Sequence, residues 1–191
     1  MTLDSLGVLY GTDKSSIHHN YLYRYEPYFA GLPTAPDILE IGVHKGASIR
    51  VWLDYFPESW VTGIDISAFD LEPITNDRFT FILGDGTDQD VWDELGMFDL
   101  VIDDGSHIAR EVMDAFRAGF LHVRQGGLWI IEDVDVAYYE QWGRPSIIDL
   151  LREVIDELND WGRGLTGDPR QDHNEIEYVH FLKSLVIIKK R

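Results

Sequence analysis

The 191-residue sequence has no cysteine. That absence excludes disulfides, zinc–thiolate centres and iron–sulfur clusters, and it leaves Asp, Glu and His as the metal ligands of consequence. Any metal site must therefore be a hard one. Basic residues are scarce as well: 16 Lys and Arg stand against 34 Asp and Glu, for a formal charge of -18. Binding to nucleic acid requires a basic stripe to meet the phosphates, so such a partner is excluded, and a neutral or cationic small molecule fits better. Most of the carboxylates read as a solvated surface. No apolar run approaches the roughly 20 residues that a membrane helix needs. The N-terminal stretch MTLDSLGVLYGTDK has an acid at position 4 and no basic-then-apolar signal pattern, which points to the cytoplasm.

With 45% apolar and 13% aromatic residues, the composition is globular. The length suits one domain over 1–191, with an N-terminal helical or lid segment over 1–36 and a core over 37–191. From residue 37 onward, short β-like runs alternate with helical patterns. DILEI, SWVTGID, RFTFILGD, FDLVIDD and GGLWIIED read as strands, several of them apolar nearly throughout, as a parallel sheet covered on both faces requires. ASIRVWLDYF, DVWDEL, HIAREVMDAFRAGFLHV and IIDLLREVIDELNDW carry helical spacing between or after them. The result is an α/β, Rossmann-like, doubly wound sheet, mostly parallel, closed by an antiparallel hairpin in IEYVHFLKSLVIIKK that turns around Lys183 and Ser184. The Gly-, Asp- and Pro-rich stretch from Gly162 to Asn174 reads as a long surface loop that could serve as a lid.

Three strand ends carry chemistry. The first strand runs into Glu40-Ile-Gly42-Val-His-Lys-Gly46, where glycines let the backbone turn sharply and approach a ligand. This is E-x-G-x-x-x-G, not the G-x-G-x-x-G of nicotinamide enzymes. The second ends at Asp65, an acid placed to accept hydrogen bonds from the two ribose hydroxyls of a nucleoside. The third ends in Gly84-Asp85-Gly86, putting a carboxylate where an adenine amino group would lie. In that order, and with the closing hairpin, these features resemble the class I S-adenosylmethionine methyltransferases over residues 37–190. The resemblance implies that Glu40 and Gly42 face the methionine part, Asp65 the ribose, and Asp85 and its neighbours the adenine. The full set of cofactor contacts it implies is Glu40, Gly42, Gly46, Asp65, Ile66, Asp85, Gly86, Thr87 and Asp103.

The fourth strand ends Asp103-Asp104-Gly-Ser-His107 and the fifth ends Glu132-Asp133. In a doubly wound sheet these ends lie beside the first strand, and three carboxylates converging in a partly buried cleft repel one another unless a cation neutralises them. Oxygen ligation by Asp104, Glu132 and Asp133 suits Mg²⁺ or a similar hard divalent ion; the alternative is that some of these acids merely cap the helices that follow. His107, three residues after Asp104, can face the same cleft. A histidine's ordinary pKa of about 6.5 suits it to take a proton from a hydroxyl at neutral pH.

Tyr10-Gly-Thr-Asp-Lys14, ILEIGVHKGAS, WVTGIDIS, DDGSH and IED together resemble the metal-dependent sugar O-methyltransferases of macrolide biosynthesis, of the macrocin and mycinamicin type. By that likeness Asp104, Glu132 and Asp133 hold Mg²⁺, His107 is the base, and S-adenosylmethionine methylates a hydroxyl of a sugar or glycoside. Only 36 residues precede the first strand, whereas the macrolide enzymes carry an additional N-terminal region, so oligomeric state, a homodimer included, and substrate size do not transfer. A catechol would chelate Mg²⁺ as a sugar diol does, which keeps a catechol-type O-methyltransferase as the alternative. A noncatalytic nucleoside-binding module would need neither base nor acidic trio. Of the aromatic residues, Tyr21, Tyr23, Tyr25 and Tyr28 read mainly as core, and Tyr138, Tyr139 and Trp142 as candidate substrate contacts. Thr12, Asp13, Lys14 and His18 could order as a lid.

Overall fold

A computed structural model describes residues 1–139, 147–159 and 175–191. Trp142 and the stretch 162–174 lie outside the described residues, as do the side chains of Tyr138 and Tyr139. In chain order the elements are α1 (Leu3–Tyr10), α2 (Tyr21–Phe29), β1 (Ile38–Ile41), α3 (Ala47–Tyr55), β2 (Val61–Asp65), β3 (Phe79–Leu83) and α4 (Gln89–Asp93). There follow β4 (Phe98–Asp103), α5 (Ala109–Gly119), a 3₁₀ turn (Phe120–His122), β5 (Val123–Ile131), α6 (Val134–Tyr139), α7 (Ile147–Asn159), β6 (Ile176–Leu182) and β7 (Leu185–Lys190).

The seven strands lie in the order β3-β2-β1-β4-β5-β7-β6. β1 to β5 pair in parallel, and β7 returns antiparallel to β5 with β6 beside it. The doubly wound sheet with its closing hairpin is thus present. Because side chains alternate along a strand, each strand feeds both faces. Leu39, Ile41, Val101, Trp129 and Ile131 pack against α5 and α7, while Ile38, Val61, Leu100, Ile102, Leu128 and Ile130 pack under α1, α2 and α3. Trp52, Trp92 and Trp129 are fully buried; burying a large apolar side chain contributes about 1.5–3 kcal/mol. The same alternation turns Glu40 toward α3, a carboxylate in the middle of the apolar β1.

The sheet ends differ from the sequence reading where backbone conformation overrides pattern. The helix expected from His107 begins instead at Ala109, because His107 adopts φ 57 and Ile108 is extended as its N-cap. β5 starts at Val123, three residues before the expected Gly126, with a register shift between Phe98 and Leu100 of its partner and φ 77 at Gly126. The polar Arg124-Gln125 pair hid that irregular start. α6 carries no periodic pattern that announced it.

The N-terminal segment is folded onto the core. Thr2 caps α1 by accepting from the Ser5 N–H at 3.2 Å, and Leu3 and Leu6 are buried against α3. One carboxylate oxygen of Glu26 accepts from both the Leu3 N–H (3.1 Å) and the Tyr55 hydroxyl (3.2 Å), tying α1, α2 and α3 together. Among the described residues no helix is long and apolar enough to cross a membrane.

Candidate active site

At the carboxyl ends of β1, β2 and β3 lies a cavity of about 330 Å³. Of the residues assigned to a nucleoside cofactor from sequence, Gly42, Asp65, Ile66, Asp85, Gly86, Thr87 and Asp103 line it, and Glu40 and Gly46 do not. Gly42 sits at φ +87, and a Cβ there would meet the Asp104 carbonyl oxygen at 2.0 Å. Glycine is therefore what lets the β1–α3 turn lie against the end of β4. The turn is held from the other side by Asp65, whose Oδ2 accepts from the N–H groups of Val43 (2.8 Å) and His44 (2.9 Å) while Oδ1 accepts from Ser67 N–H (2.9 Å). Asp85 Oδ1 is taken by the backbone and hydroxyl of Thr87, at 2.9 and 2.8 Å.

Asp103 differs from these satisfied acids. It is 3% exposed, Oδ1 has one long bond from Gly105 N–H (3.4 Å), and buried Oδ2 has no partner. Burial pushes its carboxyl up to about 7, against the pull of the Gly105 N–H. A buried oxygen left unpartnered is uncommon in a folded protein and sets Asp103 apart from the other acids around the cavity.

One residue further on, Asp104 faces a different space. Oxygens of Asp104 and Asp133 and a ring nitrogen of His107 all lie within 4.8 Å of one another. His107 Nε2 is 3.9 Å from Asp104 Oδ1 and 3.7 Å from Asp133 Oδ2. Both His107 (φ 57) and Asp133 (φ 51) adopt left-handed backbone, as does His44 (φ 47) in the glycine turn. Such positions cost on the order of 1 kcal/mol or more, and they gather at functional sites. Two carboxylate oxygens and an imidazole nitrogen form a donor set suited to a hard or borderline divalent ion.

Glu132 is next to this cluster but turned inward. It is 2% exposed; Oε2 accepts from the Lys14 ammonium at 2.8 Å and Oε1 accepts from the Tyr25 hydroxyl. Lys14 also bonds Asp104 Oδ2 and stands 3.5 Å from Glu40 Oε1. Burial pulls the Lys14 ammonium down, but the charges of Asp104, Glu132 and Glu40 outweigh it and hold the group well above the usual lysine range. Burial pushes Glu132 well up, with Lys14 opposing. Tyr21 donates to Asp133 Oδ1 at 2.6 Å, and burial together with that carboxylate raises its phenol.

Tyr21 and Tyr25 read from sequence as core and Lys14 as a lid residue, not as partners of these acids. Tyr21 and Tyr25 are i and i+4 on α2, hence on one helix face, and both are buried as their aromatic character suggests. Their hydroxyls nevertheless end on the acids of β5. The only available signal was the charge imbalance at the strand ends, which calls for a cation from elsewhere in the chain. Tyr23 is exposed, and Tyr28 meets His180 Nδ1 at 3.0 Å on the hairpin.

Residues 39–134 match the family described as methyltransferase domain. The mycinamicin VI 2''-O-methyltransferase of Micromonospora griseorubida is 33% identical, over 98% of this chain and 52% of its own. An 8-demethyl-8-(2-methoxy-alpha-L-rhamnosyl)-tetracenomycin-C 3'-O-methyltransferase of Streptomyces olivaceus is 31% identical, over 98% and 53%. The structure is similar to that of the MycE methyltransferase from the mycinamycin biosynthetic pathway in complex with Mg and SAH, with TM-score 0.86 and 30% identity over 100% of this chain and 54% of that one. The chain thus spans about half the length of the curated relatives it matches. On the sheet order, the glycine turn and the matched span, the chain belongs to the methyltransferase domain family.

Proposed function

We propose that the chain is an S-adenosylmethionine- and Mg²⁺-dependent O-methyltransferase acting on a sugar hydroxyl of a glycosylated small molecule. The observation that carries this reading is the back-to-back placement of Asp103 and Asp104. Asp103 lines a cavity of about 330 Å³ and keeps one buried oxygen unpartnered, while Asp104 lies with Asp133 and His107 in a group of donors that could hold a metal ion. A methyl donor in the cavity and an acceptor at the cluster would then lie side by side.

Asp65 and Asp85 face the cavity with carboxylate lone pairs beyond those their turns use, suiting ribose hydroxyls and an adenine amino group. Asp103 would line the donor's site beside them. Asp104 and Asp133, with Glu132 beside them, would hold the ion. When bound, the donor supplies an activated methyl group, and the ion lowers the pKa of an acceptor hydroxyl while fixing its position. His107, left off the ion, would take the hydroxyl proton on its ring nitrogen, and the adjacent carboxylates of Asp104 and Asp133 would stabilise the imidazolium. The acceptor oxygen would take the methyl group as its bond to sulfur breaks.

The curated relatives are named for methylation of sugars on macrolides and tetracenomycins, which favours a glycoside acceptor over a catechol. A cytoplasmic setting accords with this use of the donor. Labelled S-adenosylmethionine should methylate one or more of a panel of glycosides, with EDTA abolishing transfer and Mg²⁺ restoring it. Catechol turnover with no glycoside turnover would refute the acceptor class, and full activity in EDTA would refute the metal site.

A further inference from the structure

We propose that Lys14 is a positioning residue that couples donor binding to metal binding, because its single ammonium is shared by acids belonging to the two halves of the cleft. The inference rests on the reading of the site given above. On the donor side is Glu40, which lies 3.5 Å from Lys14 Nζ and lines neither of the two cavities at the cleft. Glu40 Oε1 accepts from Ser48 Oγ at 2.8 Å and Oε2 from Trp52 Nε1 at 2.6 Å, so it anchors the first turns of α3, directly after the glycine turn. On the metal side are Asp104 and Glu132, which the same ammonium bonds.

Lys14 meets all three acids at once, and Lys14, Glu40 and Glu132 are nearly excluded from water, which leaves their charges weakly screened. A charge that changes how strongly Asp104 or Glu132 holds the ammonium must change how strongly Glu40 holds it. The converse applies when a ligand resettles the glycine turn and α3. Lys14 is also fixed from behind. Its carbonyl accepts from the N–H groups of Tyr21 (2.8 Å) and Leu22 (3.1 Å) at the start of α2, the helix whose Tyr21 and Tyr25 hold Asp133 and Glu132. A second cavity, of about 270 Å³, is lined by Lys14 and Asp104 together with Gly42, His44 and Ser48, giving the two halves a common wall.

Coupling of this kind is reciprocal and commonly amounts to fivefold or more. The test is calorimetry of S-adenosylhomocysteine with and without saturating Mg²⁺, and of Mg²⁺ with and without S-adenosylhomocysteine, on the full chain. In the wild type each ligand should change the other's affinity at least fivefold, by the same factor. In Lys14→Met that factor should fall below twofold, and in Lys14→Arg it should be largely kept. Glu40→Gln keeps the shape and can keep both links to α3, its one oxygen accepting from Trp52 Nε1–H and its amide N–H donating to Ser48 Oγ, but it removes the charge facing Lys14. It should keep donor affinity without metal within about threefold, yet lose the coupling, and it serves if Lys14→Met does not fold. Independent binding of the two ligands to the wild type, or undiminished coupling in Glu40→Gln, overturns the inference while leaving the function standing. Failure of the wild type to bind either ligand overturns the function itself, and this inference with it.

Discussion

The two halves of the cleft stabilise their carboxylates by different means. In the donor half, Asp65 and Asp85 are held by backbone N–H groups and a hydroxyl from 2 to 22 residues away in sequence. In the metal half, Asp104, Glu132 and Asp133 are held by side chains 90 to 118 residues away: an ammonium and two phenols from the N-terminal segment. Backbone amides are available wherever the chain turns, so an acid served by them can form its site locally. Partners delivered by another element exist only once that element has docked. The donor half is therefore a property of the sheet, and the metal half is a property of the sheet together with α1 and α2.

Substitutions should divide along this line. The largest effect is expected from His107→Ala, which removes the base and should lower turnover by roughly 10²- to 10⁴-fold while S-adenosylhomocysteine binding stays near wild type. Steady-state rates paired with calorimetry will check it; a loss within threefold would remove His107 from the role of base. Next comes Asp65→Ala, which strips the ribose hydroxyls of their acceptor and frees the N–H groups of Val43 and His44. Donor affinity should fall by about 1–3 kcal/mol, and calorimetry should show Mg²⁺ affinity in the absence of donor changing little.

Tyr25→Phe tests the other half. It leaves the buried Glu132 Oε1 without its donor, so chemical denaturation should show a loss of about 1–3 kcal/mol. Mg²⁺ affinity should fall more than donor affinity without metal; the reverse order would show that the N-terminal segment serves the donor pocket.

The smallest and most conditional effect belongs to Asp103. Its folded-state carboxyl is pushed up to about 7 from an ordinary value near 3.8. The native state therefore binds the proton more tightly than the unfolded chain, and this residue's contribution to stability falls as pH rises from about 4 to about 7. Asp103→Asn should accordingly raise the melting temperature at pH 8 and change it little at pH 4, while weakening donor binding. A stabilisation of equal size at both pH values would show that Asp103 is not held protonated by the fold.

This division also explains what could be read in advance. The strands, α3, α7 and the closing hairpin follow from apolar runs and helical spacing, which are local. So do the donor-pocket acids, each at a strand end beside a turn. Lys14 stands in the YGTDK stretch and reads as a lid residue; nothing local shows that it is buried among Glu40, Glu132 and Asp104. Glu40 lay in the expected motif but not in the expected place: strand alternation carries it beneath α3, out of the cavity its neighbours line. Glu132 and Asp133, just past β5, meet Tyr25 and Tyr21 on one face of α2, because the left-handed backbone at Asp133 breaks the strand alternation.

The left-handed backbone at Asp133 has a consequence for laboratory evolution. Glycine and asparagine accept φ 51 readily, whereas valine, isoleucine and threonine do not. Random mutagenesis selected for heat resistance should therefore enrich Asp133→Gly, which relaxes the chain while discarding a carboxylate proposed above to hold the ion. Selections for endurance and for turnover would pull this position in opposite directions, and a thermostabilised lineage that keeps Asp133 must find its gains elsewhere.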